Sequence, residues 1–161
     1  MDAATRAELI AQYRAGAAEV DAAIAEARAL GPEALDRRPA PTEWSARQVV
    51  HHLADSETMS ATRIRRLIAD DDPVLIQGYD EPVWATRLHY DRPIEGSLEL
   101  VRAVRAATAD LLDSMTEADW ARRGTHSESG PYSADDWLEI YAAHCHDHAN
   151  QIRSAARVDG R

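Results

Sequence analysis

Apolar residues recur along most of this chain every three to four positions, the period of a helix with one buried stripe, and no segment shows a convincing two-residue alternation of the strand kind. From Ala3 to Leu30, the residues Leu9, Ile10, Tyr13, Ala17, Val20, Ile24 and Ala27 share one face of an alanine-rich segment whose one internal glycine is Gly16. Gly31-Pro32 stops this first helix, because glycine suits the left-handed position past a helix end and proline cannot continue the ladder. After a linker around Pro39 and Pro41, Ser45-Ala46-Arg47-Gln48 reads as a capping box opening a second helix that runs to about Ala69. Its inner stripe is Val49, His52, Leu53, Ser56, Met59, Ser60, Ile64 and Leu67, while His51, Asp55, Thr58, Thr62 and Arg66 lie on another side. A third helix from about Gly96 to Met115 is expected to bury Leu98, Leu100, Val101, Val104, Ala107, Leu111 and Leu112. A fourth, capped by Ser133 with Asp135 and Asp136 in its first turn, runs to about Ala156.

The connections differ in length. Asp70-Asp71-Asp72-Pro73 is a charged helix stop, and Val74 to Pro93 is a long connection carrying Tyr79, Trp84, His89 and Tyr90, either a lid over a site or packing over one end of a bundle. Thr116 to Tyr132 holds a short helical turn at Glu117 to Arg122 and then a glycine- and serine-rich piece expected to be an exposed loop, with no partner evident for His126. Four amphipathic helices predict an all-α antiparallel four-helix bundle forming a single domain over residues 1–161. The long connection between helices two and three implies that it is not a simple up-and-down bundle.

Charge and cysteine content narrow the partners. With 18 Lys+Arg against 28 Asp+Glu, the net charge of −10 repels phosphate backbones and anionic lipid, which argues against nucleic acid or a membrane surface as partner and for a small-molecule substrate. The single cysteine, Cys145, excludes an intramolecular disulfide framework and reads as a small packing residue, since its neighbour on a helix points about 100° away. No apolar run reaches a membrane-spanning length and the N-terminus lacks a signal-peptide core, so a cytoplasmic location is expected.

The candidate chemistry lies in the last helix. Trp137, Ile140, Tyr141, His144, His148, Ile152 and Ala155 form one stripe, placing two imidazoles one turn apart among side chains that should be buried. A buried neutral imidazole needs a partner, and hydrogen bonding alone could supply it. A third inward histidine, His52 on the second helix, can converge on the pair in a bundle core and complete an open three-nitrogen site for a divalent metal. Zinc, nickel, copper and iron all suit three imidazoles. His51 faces elsewhere and is read as solvated or supporting, while Asp55 could orient a ring or act as a base. Tyr79, Trp84 and Tyr141 could shape a substrate pocket or could simply be core.

Three motifs in order, Trp44 to Ser56, Gly78 to Trp84, and Tyr141 to Ile152, resemble the DinB-like (damage-inducible) metalloprotein superfamily over nearly the whole chain. Within it, the chain is most similar to the branch of metal-dependent hydrolases and bacillithiol S-transferases. The resemblance implies a four-helix bundle, a three-histidine site for zinc or nickel on His52, His144 and His148, and a homodimer. Close relatives in that branch carry more histidine in the last motif, where this chain has Asp147 and Gln151. The expected function is a thiol-dependent S-transferase acting on small electrophiles, using a low-molecular-weight thiol as co-substrate. The alternatives are a metal-dependent hydrolase of a small molecule and a non-catalytic interaction protein with a structural metal or an empty site.

Overall fold

A computed structural model describes residues 1–157, leaving the end of the expected 1–161 domain outside the described residues. Four long helices carry the core: α1 (Ala3–Ala29), α2 (Ala46–Ala69), α4 (Glu95–Ser114) and α6 (Ala134–Ala156). Two short ones, α3 (Glu81–Arg87) and α5 (Glu117–Trp120), lie in the connections. The capping box at α2 is formed as expected, with Gln48 N donating to Ser45 Oγ at 3.3 Å and Ser45 N to Gln48 Oε1 at 3.1 Å. Ser133 caps α6 in the same way through Asp136.

The helices do not pack in chain order. α1 lies along α6 in the longest interface and also against α4, while α2 packs against α4 and α6, so the consecutive helices α1 and α2 face each other across a diagonal. The bundle is therefore not up-and-down, in keeping with its long second connection.

Three sequence expectations are corrected. The glycine- and serine-rich piece is not a free loop: Arg123–His126 (β2) and Gly130–Ser133 (β3) form an antiparallel hairpin, and Leu75–Ile76 (β1) adds to it in parallel. The strands are too short for a two-residue pattern to emerge, and Gly130 at φ +80° makes the turn that a side chain would strain. His126 is buried in this hairpin, its Nδ1 accepting from Glu128 N at 3.3 Å. The inner face of α4 is also rotated from the expected one, comprising Ser97, Leu98, Val101, Arg105, Thr108, Ala109 and Leu112, with Leu100 41 % exposed. On α6, Ile140 likewise turns outward at 50 % exposure.

The rotation of α4 has an electrostatic cause. Arg105 points into the centre of the bundle, 1 % exposed, and Nη1 donates to Glu57 Oε1 at 2.7 Å. Its Nε donates to the Tyr13 carbonyl at 3.0 Å, and both Nη atoms reach the Tyr141 carbonyl at 3.3 Å, so one side chain ties α4 to the other three long helices. Gly16 makes the room, since a Cβ there would meet Arg105 Nη2 and Cys145 Cβ at 2.8 Å.

Candidate metal centre

Helices α2 and α6 bring His52, His144 and His148 together. One ring nitrogen from each lies within 4.8 Å of the others, and ring centroids are 5.6 Å apart for His52 and His144, 4.7 Å for His52 and His148, and 4.6 Å for His144 and His148. The i, i+4 spacing on α6 sets the last of these, and packing of α2 against α6 sets the others. His146, between the α6 pair in sequence, turns to α1, where its Nε2 donates to the Gln12 carbonyl at 3.0 Å.

Each ring is oriented differently. His144 Nδ1 donates to Glu57 Oε1 at 2.9 Å, which fixes the proton on Nδ1 and leaves Nε2 with a bare lone pair 3.5 Å from Ser56 Oγ. His148 Nδ1 donates to Gln151 Oε1 at 2.7 Å, leaving its Nε2 bare as well. His52 is buried against the Trp44 ring, 4.9 Å away, and its Nδ1 has no hydrogen-bond partner among the described residues.

Protons are poor occupants of this cluster. Burial, then the charges His148 and His144 would carry, pushes His52 down to about 3. Burial and the neighbouring His144 push His148 down to about 4. Three convergent imidazoles, two with Nδ1 turned to an acceptor and the third with an orphaned buried nitrogen, fit a divalent cation that accepts lone pairs. No helix among the described residues is long and apolar enough to cross a membrane.

The other expected residues are placed as follows. Tyr141 is buried with its ring 5.4 Å from that of His144, and its hydroxyl accepts from Arg63 Nη1 at 2.9 Å. Tyr79 and Trp84 stack on each other at 4.3 Å in the connection before and within α3. Asp55 Oδ2 accepts from the Tyr90 hydroxyl at 2.6 Å, which engages it beside Trp44 and outside the three-ring cluster. His51 is corrected from the solvated reading: it is fully buried, donating from Nε2 to the Arg92 carbonyl at 2.9 Å and accepting at Nδ1 from Ser97 Oγ at 2.8 Å, and so pins the start of α4. Burial holds it below the usual histidine range, consistent with that neutral role.

Glu57 and Arg105 went unnoticed in the sequence although a signal existed. Each is a charge at a position where the helical stripe of its neighbours demands a core residue, Glu57 beside Leu53, Ser60 and Ile64, and Arg105 between Val101, Thr108 and Leu112. Burial alone would raise the Glu57 carboxyl, but the hydrogen bond from His144 and the Arg105 charge outweigh it and hold it below the ordinary carboxylate range.

A helical bundle whose core holds three inward histidines of this kind is a candidate metalloprotein. The family match agrees: residues 12–152 fit the DinB superfamily, and the chain belongs to it. It is 38% identical over 128 residues to the candidate metal-dependent hydrolase OB0782 of Oceanobacillus iheyensis, covering 80% of this chain and 74% of that one. A candidate metal-dependent hydrolase of Geobacillus thermodenitrificans is 37% identical over 161 residues, covering 96% and 88%. Among solved structures, YfiT from Bacillus subtilis, described as a probable metal-dependent hydrolase with an unusual four-helix bundle topology, superposes with a TM-score of 0.86 at 25% identity, covering 98% of this chain and 89% of that one.

Proposed function

We propose that the protein is a metal-dependent enzyme acting on a small molecule, in which His52, His144 and His148 hold one divalent cation, zinc or nickel, with at least one position open, and that its reaction is hydrolysis. The observation that carries this reading is the donor set, three convergent imidazoles with no fourth histidine, cysteine or carboxylate in the cluster among the described residues. The names borne by its relatives support hydrolysis in particular. A cation held there supplies Lewis acidity, polarising a substrate carbonyl or lowering the pKa of a water or a thiol at its open side.

The chain's own side chains do the rest. Glu57 and Gln151 hold the protons of His144 and His148 on Nδ1, so neither ring has to change tautomer to serve as a ligand. Tyr141 walls the approach beside His144, and Trp44 closes the cluster behind His52. The thiol-dependent S-transferase is the second reading, and the neutrality of the donor set favours it: three imidazoles leave both charges of the cation uncompensated, which stabilises a thiolate. We take the working unit to be a cytoplasmic homodimer, as the family resemblance and the composition lead us to expect.

Metal analysis of protein purified without a histidine tag tests the site. One divalent ion per chain is expected, lost in His52→Ala, His144→Ala and His148→Ala with the helical circular dichroism retained, and unchanged metal in all three variants overturns the proposal. Ester or amide turnover without thiol then favours hydrolysis, metal-dependent thiol consumption with an electrophile favours transfer, and tight metal with neither favours a structural ion. Light scattering showing a single-chain mass at micromolar concentration removes the dimer.

A further inference from the structure

Arg63 stands on α2 on the same helical face as His52, Ser56 and Ser60, and helical side chains lean back toward the N-terminus of their own helix, here toward the three rings. Its Nη1 donates to the Tyr141 hydroxyl at 2.9 Å and its Nη2 to the Gln77 carbonyl at 3.1 Å. Both acceptors are neutral, and the Nε–H is buried with no partner among the described residues. Arg105, the other arginine that reaches Tyr141, has its charge met by Glu57. Arg63 has no such carboxylate within the described chain.

Two phenols beside it are in the same state. The guanidinium carbon lies 5.9 Å from the centre of the Tyr79 ring, and the hydroxyls of Tyr79 and Tyr132 are both buried with no hydrogen bond of good geometry among the described residues, Ser56 lying near the Tyr79 hydroxyl. Burial pushes Tyr79 up to about 12 and Tyr132 higher still, so both are O–H donors at neutral pH. Leaving buried donors unmet is costly, so the Arg63 Nε–H and the Tyr79 hydroxyl side by side, with Tyr132 near enough to feel the Arg63 charge, mark where an acceptor is missing. The place adjoins the histidine centre, because Tyr141, which Arg63 grips, has its ring 5.4 Å from that of His144.

We infer that Arg63, Tyr79 and Tyr132 form a carboxylate-binding subsite beside the three-histidine centre, and that the substrate carries a carboxylate that takes the free Nε edge of Arg63. This deepens the function proposed above and rests on it for the identity of the reacting group, though not for the subsite itself. A guanidinium edge offers parallel N–H donors at the spacing of carboxylate oxygens. One cation with two neutral phenols matches a singly charged planar acceptor, whereas a phosphate dianion with three equivalent oxygens calls for more charge than the chain supplies here.

The test uses 3-mercaptopropionate and its neutral analogue 3-mercaptopropionamide, which differ only at the carboxylate. In the metal-free full-length protein, the Arg63 Nε–H resonance, assigned by its disappearance in Arg63→Lys, is expected to shift saturably with the acid and not with the amide. Calorimetry should show Arg63→Gln weakening the acid about 10- to 100-fold, down to the level of the amide, and Tyr79→Phe weakening it less. Zinc content should be unchanged in both variants. Equal binding of acid and amide, or an acid preference that survives Arg63→Gln, overturns the subsite. If Arg63→Gln does not fold, Arg63→Met and Tyr79→Phe carry the same comparison. Wild type and His144→Ala together separate the two readings: a wild type that takes up no metal but keeps the acid-selective shift sinks the metal centre alone, and a wild type whose metal is lost in His144→Ala but which shows no shift sinks the subsite alone.

Discussion

Two polar clusters share the inner faces of α2 and α6, joined by the single hydrogen bond from His144 to Glu57, and they are built on opposite principles. In the Arg105–Glu57 cluster, opposite charges meet at 2.7 Å with side chains 1 % and 0 % exposed, and backbone carbonyls of Tyr13 and Tyr141 take the remaining arginine donors. In the three-histidine cluster, three bases converge that would repel one another if protonated, and among the described residues no carboxylate is a fourth member of the group, Glu57 reaching only the far nitrogen of His144. The first is closed by the chain's own charges and belongs to the fold. The second has lone pairs to give and, among the described residues, only the Ser56 hydroxyl at 3.5 Å from His144 Nε2 to meet one of them, which is what makes it a site.

The largest effect should come from opening the closed cluster. Arg105→Met leaves a carboxylate buried without its cation and should cost about 3–5 kcal/mol, lowering the melting temperature by roughly 10 °C. A loss under about 1 kcal/mol in denaturant titration would show that the pair is not part of the fold's support.

Acid should act next, through the other cluster. In metal-free protein, His52 and His148 bind protons more weakly when folded, at about 3 and about 4, than in the unfolded chain, where histidine titrates near 6.5. The unfolded chain therefore takes up protons first as pH falls, so the stability is whole above about 6.5 and is lost progressively as pH drops toward those folded values. Melting curves of wild type and of His52→Asn/His148→Asn between pH 7 and 4 isolate this contribution, and parallel curves would contradict it.

The two clusters can then be separated. Removing both charges together in Arg105→Met/Glu57→Gln should recover most of the stability lost in Arg105→Met, yet metal should bind about 10- to 100-fold more weakly because a neutral amide no longer polarises His144. Recovery of stability and metal affinity together would mean that Glu57 serves the fold alone. The smallest effect is expected from Gln151→Ala, which frees the half-buried His148 ring and should weaken metal by about tenfold or less in a competition titration.

Much of this was legible from residue spacing. The four long helices, their caps at Ser45 and Ser133, and the three histidines on inward stripes follow from the 3.6-residue period, which is a local property of the backbone. His51 was misjudged for the same reason that His52 was judged well: spacing tells which face a residue is on, but not that the start of α4 would cover the second face and supply Ser97 and the Arg92 carbonyl. The hairpin after α5 escaped notice because strands of this length gain their order from β1, a partner some fifty residues earlier in the chain, which no local pattern records.

By itself, then, the amino-acid order determined which residues lie on the buried stripe of each helix, because helix geometry repeats within a few residues. Only the tertiary structure decided which stripes meet: that α2 packs on α6 across a bundle wound out of chain order, that Arg105 turns inward to answer Glu57, and that Arg63 and the three rings are left unanswered. Pairing of charges and lone pairs across helices is settled by packing between segments far apart in sequence, and a one-dimensional period carries no information about it.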